Sequence, residues 1–366
     1  MSVIRYILRA FGWGIVGLLV LSFLIGYAAP YLPPIHFWWT NLFAVALPPL
    51  GLVVALLSFG LLGQGMYRHA WGRVAIAGVL LGLIVVRFAP RISVGGASAA
   101  DAATLRLMTF NVPMAFAGQD ASARALARFV GREAPDVAAF QEAWVATGPS
   151  PRSGFEGRSW PPGVFLEDSL GYAPPRGLPP QTTVCQPVFG RLVLDSMSVH
   201  PLRPSGDADR CARYTRTEFT WRGRSAVLYN LHLHTIGPIR PWDVLEAWDS
   251  PAYWRAFLRE YREGALHRAR EARRIRRRIE QETVPVLVVG DFNSTPHQWA
   301  YGHLAQGLQQ AGTSGATFPA ERPIVRIDHI LAGPAWEIAA SRVPVPRAGT
   351  TISDHRPVTA QLRWRD

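Results

Sequence analysis

Three long apolar segments occupy the first ninety residues of the chain. They run from Ala10 to Ala29, from about Trp38 to Leu62 and from about Ala70 to Ala89. An apolar helix of about 20 residues is long enough to cross a bilayer. The pattern therefore predicts a membrane region over residues 1–89 with about three transmembrane helices. The adjacent prolines at 48 and 49 predict a kink in the second helix.

From residue 105 onward, short apolar strands alternate with amphipathic helices. The predicted strands are 105–111, 136–140, 226–234, 285–289, 325–332 and 358–364. The predicted helices are 121–132 and a long one over roughly 252–282. This order predicts one α/β domain over residues 105–366, with sheets packed face to face in a two-layer or four-layer arrangement.

The long helix carries one apolar stripe, because seven apolar positions recur every three or four residues. They are Leu258, Tyr261, Ala265, Ala269, Ala272, Ile275 and Ile279. The ten arginines and five glutamates of 251–282 are then expected on the remaining, solvated surface. A patch for nucleic acid or anionic lipid is the alternative.

The arginines favour an orientation for the predicted spans. The net charge is +12, and the first 100 residues hold six arginines and no Asp or Glu. Arg5 and Arg9 precede the first span, and Arg68 and Arg73 separate the second from the third. By the positive-inside rule, the N-terminus lies in the cytoplasm and the C-terminal domain is extracytoplasmic. The protein is then a multi-pass membrane protein.

Two alternatives concern the number of spans. Arg87 and Arg91 lie outside the cytoplasm in the three-span arrangement, so two spans and a cytoplasmic domain satisfy the charge rule slightly better. The third segment would then be a buried core helix. A cleavable signal peptide could explain the first segment, but two further apolar segments follow it.

Residues 90–104 are rich in small residues and are typical of a flexible linker. Fifteen such residues have an end-to-end distance of roughly 20 Å, so we expect the following domain close to the bilayer. That domain contains the only two cysteines, Cys185 and Cys211. A disulfide would suit an exported domain, and two buried free thiols are an equal alternative.

Acidic, amide and histidine side chains cluster where the predicted strands end. They are Asn111 in Met-Thr-Phe-Asn-Val, Glu142 in Ala-Phe-Gln-Glu-Ala, His232 in Asn-Leu-His-Leu-His, Asp291 and Asn293 in Gly-Asp-Phe-Asn, Asp328 in Ile-Asp-His-Ile, and Asp354 and His355 in Ser-Asp-His-Arg-Pro-Val. Oxygen ligands of this kind suit Mg²⁺ or Mn²⁺. A histidine held by a carboxylate can contact a phosphate or activate water. The set predicts metal-assisted cleavage of a phosphate ester.

In this order the motifs resemble those of the endonuclease/exonuclease/phosphatase superfamily. That superfamily includes pancreatic-type deoxyribonucleases, abasic-site endonucleases, neutral sphingomyelinases and inositol-polyphosphate 5-phosphatases. The resemblance covers residues from about 104 to 366, and Gly-Asp-Phe-Asn and Ser-Asp-His are its most specific pieces. It implies a four-layer α/β/β/α sandwich, with the active site at one end.

The resemblance also implies metal ligands. Glu142 would be a ligand, Asn111 would lie close to the same metal, and Asp354 would complete the metal side. The alternative for Asn111 is a turn cap. The metal would be Mg²⁺ or Mn²⁺.

The remaining residues are implied to act on the substrate. Asp291 and Asn293 would position the attacking water and the phosphate. His232 would contact the phosphate or serve the leaving group. His355, oriented by Asp328, would contact the phosphate or act as a base.

Three alternatives stay open at these positions. His234 could be the working histidine in place of His232. His329 is expected to pack between strands. The domain could also be degenerate and inactive, although no motif of the set is missing.

The superfamily does not fix a substrate, since one fold serves many. Two features favour a lipid or lipid-linked phosphodiester: the tether to a bilayer, and the aromatic segment 241–248 that follows the His232 strand, with Tyr253, Trp254 and Phe257 behind it. A helix packed on the sandwich is an equal explanation for these aromatics.

We therefore expect membrane lipids as partners and a phosphate ester, with phospholipid favoured, as substrate. A membrane-anchored extracytoplasmic endonuclease is the alternative, with nucleic acid as a less favoured partner. A non-catalytic membrane interaction protein is the third possibility.

Overall fold

The structure of the protein is a computed structural model. It describes residues 2–89, 104–113, 120–146, 160–173, 177–178, 182–202, 211, 213–237, 249–312, 315–346 and 352–365. All of the expected linker except residue 104, and the aromatic segment 241–248, lie outside these residues. The chain divides into two compact units. One consists of Met1–Ser93 and His297–Gly302, and the other of Val94–Pro296 and His303–Asp366.

The first unit contains three helices that are long and apolar enough to cross a membrane. The helices of this region are α1 (Ser2–Ala28), α2 (Pro34–Phe37), α3 (Thr40–Val45), α4 (Leu47–Tyr67) and α5 (Trp71–Phe88), of which α1, α4 and α5 are the long ones. Phe23, Leu47, Val54 and Leu80 form the small buried cluster between them. Most other apolar side chains of these helices point outward, as an apolar surrounding would favour.

The second apolar segment, expected to be one helix kinked at the two prolines, is divided just before them into two helices. Pro48 and Pro49 lie in the first turn of α4, where a missing N–H costs no intrahelical hydrogen bond. The helix therefore begins at the prolines, and residues 40–45 before them form α3.

The remaining elements are thirteen strands and four helices among the described residues. The strands are β1 (Leu105–Asn111), β2 (Val137–Gln141), β3 (Val145–Ala146), β4 (Thr183–Val184), β5 (Val188–Gly190), β6 (Leu194–Pro201), β7 (Arg213–Trp221), β8 (Arg224–His232), β9 (Val286–Asp291), β10 (Gln309–Gln310), β11 (Asp328–Ala332), β12 (Trp336–Arg342) and β13 (Val358–Trp364). The helices are α6 (Asp120–Glu133), α7 (Pro161–Leu170), α8 (Pro251–Ile279) and α9 (Trp299–Leu304).

Two mixed sheets form the centre of the second unit. The first has five strands in the order β12-β13-β1-β2-β5, and the second has six in the order β10-β11-β9-β8-β7-β6. Each sheet contains one parallel pair, β1 with β2 and β8 with β9, while the other neighbours are antiparallel. The small pair β3–β4 stands apart from them.

The sheets pack face to face, and helices cover their outer sides. Leu107 from the first sheet and Leu228 and Val289 from the second belong to one buried cluster. On the outer side of the first sheet, Phe110 packs with Phe129 of α6. This arrangement confirms the expected α/β/β/α sandwich.

Helix α8 lies along the outer side of the second sheet. Arg274 donates to the carbonyl of Pro201 at the end of β6, and Glu282, just beyond the helix, accepts from Arg216 of β7 and Tyr229 of β8. The apolar stripe of α8 is buried from Tyr261 to Ile279.

Three side chains of α8 depart from the expected pattern. Leu258, expected in the stripe, is 37% exposed. Arg268 and Glu271, expected on the solvated surface, are buried at 2% and 1% exposure. The expectation that all charges of the long helix face solvent is therefore wrong for these two residues.

Gly290 in β9 has no room for a side chain beside β8, and this lack of room generates a prediction. Its φ is +134°, and a Cβ at this position would lie 1.9 Å from the carbonyl oxygen of Leu231. We expect Gly290→Ala to separate the two strands, to lower the unfolding temperature of the purified full chain strongly and to abolish phosphoesterase activity.

Gly223, in the turn between β7 and β8, is the matched control. Its φ is also positive at +73°, but no atom lies within 4 Å of the position that a Cβ would occupy. Gly223→Ala should cost only the backbone strain of about 1–2 kcal/mol and leave activity intact. Equal effects of the two substitutions would contradict this account.

Candidate active site

The two parallel strand pairs bring four polar residues to one edge of the sandwich. Asn111 at the end of β1 lies in register with Gln141 at the end of β2, directly before Glu142. His232 at the end of β8 lies in register with Asp291 at the end of β9. Because the sheets pack face to face, the carboxyl ends of both pairs meet.

Asn111 bridges the two sheets at this edge. Its Nδ2 donates to Glu142 Oε1 at 3.1 Å and to Asp291 Oδ2 at 3.0 Å. Asn111 is fully buried, and its Oδ1 accepts no hydrogen bond from the described residues, so the side chain does not cap a turn. His232 Nε2 lies 3.6 Å from Glu142 Oε1 and 3.7 Å from Asp291 Oδ2. These four side chains form one cluster.

Two residues of the site, one in the cluster and one next to it, adopt left-handed backbone conformations. Glu142 has a φ of +56° and Asn293 a φ of +45°. Such conformations cost a non-glycine residue roughly 1–2 kcal/mol. The Asn293 backbone N–H donates to Asp291 Oδ1 at 2.8 Å, and its Nδ2 donates to the carbonyl of Leu233 at 2.9 Å. Asn293 therefore fixes the Asp291 carboxylate and ties it to the end of β8.

A buried histidine–carboxylate pair faces the same cluster. His355 Nδ1 lies 2.9 Å from Asp328 Oδ2, and His355 Nε2 lies 3.9 Å from Asp291 Oδ2. Ser353 supports this pair, because its Oγ accepts from the His355 backbone N–H and donates to the carbonyl of Asn111. The Ser-Asp-His segment is thus joined to the end of β1.

Burial and neighbouring charges shift two pKa values in the site. Burial disfavours a charged His355, but the charges of Asp328 and Asp291 outweigh it and raise the pKa of His355 to about 10. Burial raises the pKa of Asp291 to about 6, while His355 and His232 oppose this shift and Asp328 adds to it. His355 is therefore protonated at neutral pH and Asp291 is a comparatively basic carboxylate.

Two buried oxygen atoms near the cluster lack a hydrogen-bond partner among the described residues. They are Asn111 Oδ1 and Asp354 Oδ1. Asp354 lies next to His355, and its charge also raises the pKa of that ring. Unpaired oxygens beside carboxylates suit a hard divalent cation. The donor set therefore fits Mg²⁺ or Mn²⁺.

A second grouping of possible ligand atoms overlaps this one. Atoms of Asp291, Asp328 and His355 lie within 4.8 Å of one another. Within this grouping, Asp328 Oδ2 already faces His355 Nδ1 at 2.9 Å. The unpaired oxygens of Asn111 and Asp354, together with Glu142, form the candidate metal position, close to Asp291.

The other histidines singled out in the sequence lie outside this cluster. The ring of His234 packs against His267 of α8, with the ring centroids 4.7 Å apart. His329 is fully buried, its Nε2 lies 2.9 Å from the Ser294 carbonyl, and burial lowers its pKa well below the usual value. His329 packs within the domain, as expected.

Sequence reasoning missed the polar residues that position the site. Arg268 Nη1 donates to the carbonyl of His234 at 3.0 Å, and Glu271 accepts from the His234 N–H at 2.8 Å. Helix α8 thus binds both the backbone carbonyl and the backbone N–H of His234, two residues after His232. Their positions in the helix could have indicated that they are buried, because Arg268 and Glu271 adjoin Ala265, Ala269 and Ala272 of the buried stripe.

An amide pair behind the site was also missed. Gln141 Nε2 donates to Asn230 Oδ1 at 2.6 Å, and Asn230 Nδ2 donates to the carbonyl of Phe140 at 2.9 Å. Both side chains are fully buried. The pair joins the two sheets one or two residues before Glu142 and His232, so it sets their separation.

Carboxylates from both sheets beside a histidine–carboxylate pair suit metal-assisted hydrolysis of a phosphate ester. The model of the endonuclease/exonuclease/phosphatase family matches residues 108–355. The chain belongs to this family and is a metal-dependent hydrolase acting on phosphate ester bonds.

Solved structures share the fold. A family protein from Leptotrichia buccalis C-1013-b has a TM-score of 0.50 and 16% identity, over 71% of this chain and 100% of that chain. A family protein from Bacteroides thetaiotaomicron has a TM-score of 0.51 and 17% identity, over 72% of this chain and 99% of that chain. No curated protein gives a significant match.

The His355–Asp328 pair generates a pH prediction. Asp328→Asn removes a charge that raises the pKa of His355, so that pKa should fall from about 10. We expect the shift in an NMR titration of the His355 ring, with activity reduced by a factor of about 100 or more. His200 on β6 is the internal reference and should titrate as in the wild type. An unchanged His355 titration would contradict the assignment.

Proposed function

We propose that the protein is a membrane-anchored phosphoesterase that hydrolyses a lipid or lipid-linked phosphodiester. The observation that carries the chemistry is the convergence of Glu142, Asp291 and His232 with the Asp328–His355 pair. These side chains come from both sheets and meet at one edge.

Asn111, Glu142 and Asp354 would hold the Mg²⁺ or Mn²⁺ ion, close to Asp291. Such a cation neutralises charge on a phosphate and polarises it for attack. The buried, unpaired oxygens of Asn111 and Asp354 support this assignment.

The chain's own groups would supply proton transfer and positioning. Asp291, with its raised pKa, accepts a proton from the attacking water. Asn293 holds that carboxylate in place. His355 is protonated and therefore donates a hydrogen bond to the phosphate and does not act as a base. His232, 18% exposed at the rim, serves the leaving group.

Two features support an ester at a membrane surface. Residues 90–104 can span at most roughly 50 Å between the last apolar helix and β1. Trp254 and Leu258, one helical turn apart on α8, are 40% and 37% exposed. Exposed apolar side chains on a helix favour contact with the headgroup and acyl boundary of a bilayer.

A substrate panel tests the proposal. The purified full chain is given phospholipid vesicles, bis-p-nitrophenyl phosphate and plasmid DNA in parallel, with Mg²⁺, Mn²⁺ or EDTA. We expect lipid turnover that EDTA abolishes and either metal restores. Glu142→Ala and His232→Ala should each lower turnover by a factor of about 100 or more. Glu218→Ala, on the exposed side of β7, is the control and should have no effect.

A further pair of variants separates lipid recognition from chemistry. Trp254→Ala with Leu258→Ala should reduce turnover of vesicles and leave turnover of bis-p-nitrophenyl phosphate unchanged. Plasmid nicking without lipid turnover would favour the endonuclease. Full activity in the Glu142 and His232 variants would refute catalysis at this site.

We also propose that the catalytic domain is extracytoplasmic. Arginines before the first long apolar helix and between the second and the third support this orientation by the positive-inside rule. Cys185 and Cys211 are joined in a disulfide with a Cα–Cα distance of 5.5 Å, and disulfides persist in oxidising compartments.

Reporter fusions after Asp366 test this orientation. An alkaline phosphatase fusion should be active and a fluorescent protein that needs the cytoplasm should be dark. Thiol labelling of the denatured wild-type chain should require prior reduction. A fluorescent fusion with free thiols would establish two spans and a cytoplasmic domain.

A further inference from the structure

We propose that an arginine-lined cavity at one end of the three long helices binds the phosphate headgroup of an anionic phospholipid. We call it the arginine cavity. Its volume is about 770 Å³, and its main lining residues are Tyr6, Arg9, Trp13, Tyr67, Arg68 and Arg73. The cavity belongs to the first unit and takes no part in the hydrolytic site.

Separate segments of chain contribute the three arginines. Arg9 lies on α1 between Tyr6 and Trp13, at spacings of three and four residues that place all three on one face. Arg68 follows the last turn of α4, and Arg73 lies in the first turn of α5. The start of α1 therefore meets the turn between α4 and α5.

Tight packing fixes the turn that carries Arg68 and Arg73. Gly65 is buried, and a Cβ there would lie 3.2 Å from Arg73 Cβ and 3.0 Å from Val74 Cγ2. The Arg68 N–H donates to the Gln64 carbonyl at 3.1 Å. These contacts bring α4 and α5 close together, so the backbone holds both arginines at the cavity.

The charge of the cavity has no counterpart in the surrounding sequence. The first 100 residues contain no Asp or Glu, so no carboxylate of that region can neutralise the three guanidinium groups. Guanidinium forks pair well with phosphate oxygens, with two parallel hydrogen bonds each. An anion from outside the region is the complement of this site.

The surroundings of the cavity favour a lipid over a free phosphate ion. Tyr6, Trp13 and Tyr67 are all more than half exposed, and such aromatic side chains are typical of the membrane interface. Ile7 and Phe11 on the same stretch of α1 expose further apolar surface. Acyl chains can lie on that surface while the headgroup enters the cavity, as in basic headgroup pockets between membrane helices.

The lining also indicates a site that binds and does not hydrolyse. Among the described lining residues there is no Asp, Glu, His or Cys. The lining therefore has none of the carboxylates and histidines that form the candidate active site of the catalytic domain. A bound lipid there would remain intact.

Lipid retention by the purified full chain tests the proposal. The protein in neutral detergent is mixed with phosphatidylglycerol, phosphatidylcholine or inorganic phosphate, and bound lipid is counted by native mass spectrometry. We expect wild-type protein to retain phosphatidylglycerol at least roughly tenfold more than phosphatidylcholine. The triple variant Arg9→Gln, Arg68→Gln and Arg73→Gln should lose that preference.

A charge-matched control separates the cavity from general attraction. Arg222→Gln, Arg270→Gln and Arg277→Gln remove the same three charges from exposed positions outside the lining. This variant should retain phosphatidylglycerol within about twofold of the wild type. Equal losses in the two triple variants would refute the site. Displacement of the lipid by millimolar inorganic phosphate would identify a free-phosphate site and overturn the lipid assignment.

Single substitutions keep the test informative if the triple variant does not fold. Arg68→Gln should lower retention about threefold, and Arg68→Lys, which keeps the charge, should lower it less. Turnover of bis-p-nitrophenyl phosphate should stay at the wild-type level in each, because the cavity is separate from the catalytic residues. Unchanged retention in Arg68→Gln would contradict the proposal.

Discussion

Burial of the Asp291 carboxylate is the constraint on which the rest of the active site depends. A carboxylate at 1% exposure is costly unless hydrogen bonds and opposite charges compensate for it. Compensation comes from the Asn111 amide, the Asn293 backbone N–H and the nearby His232 and His355. These partners come from both sheets. Satisfying one buried charge therefore assembles the groups that phosphate-ester hydrolysis needs.

The polar groups around the site keep this arrangement in place. The Gln141–Asn230 amide pair fixes the separation of the sheets, and Arg268 and Glu271 hold the backbone of His234. Each of these side chains is buried, so the loss of one hydrogen-bond partner would leave a buried polar group unpaired and lower the stability of the fold. The same bonds that stabilise the sandwich thus determine where His232 and Glu142 point.

Arginine is distributed differently in the catalytic domain and in the apolar helices, and the two regions would interact with phosphate in different ways. In the catalytic domain, the groups of the candidate active site are carboxylates, amides and histidines, and no arginine is among them. In the membrane-type helices, three arginines converge where the sequence supplies no acid. The first chemistry suits cleavage through a cation, and the second suits retention of an intact anionic headgroup. The net charge of +12 therefore combines arginines that have different roles in the two regions of the chain.

The sequence by itself determined the apolar helices, the central strands and the family to which the chain belongs. Strands β1 and β13 occur where the pattern predicted them, because β1 is almost entirely buried and β13 alternates between apolar and polar residues. The pattern did not predict β6 and β12, since each is the edge strand of its sheet and is half solvated. It also placed Pro48 and Pro49 inside a helix that instead begins there.

Only the tertiary structure decided which polar groups touch. Asn111 and Asp291 are 180 residues apart in sequence and 3.0 Å apart in space, a relation that no local period encodes. The burial of Arg268 and Glu271 likewise depends on the chain at His234 packing on α8. Periodicity reports which face of an element is buried. The partner of each buried polar group depends on how the sheets and helices meet.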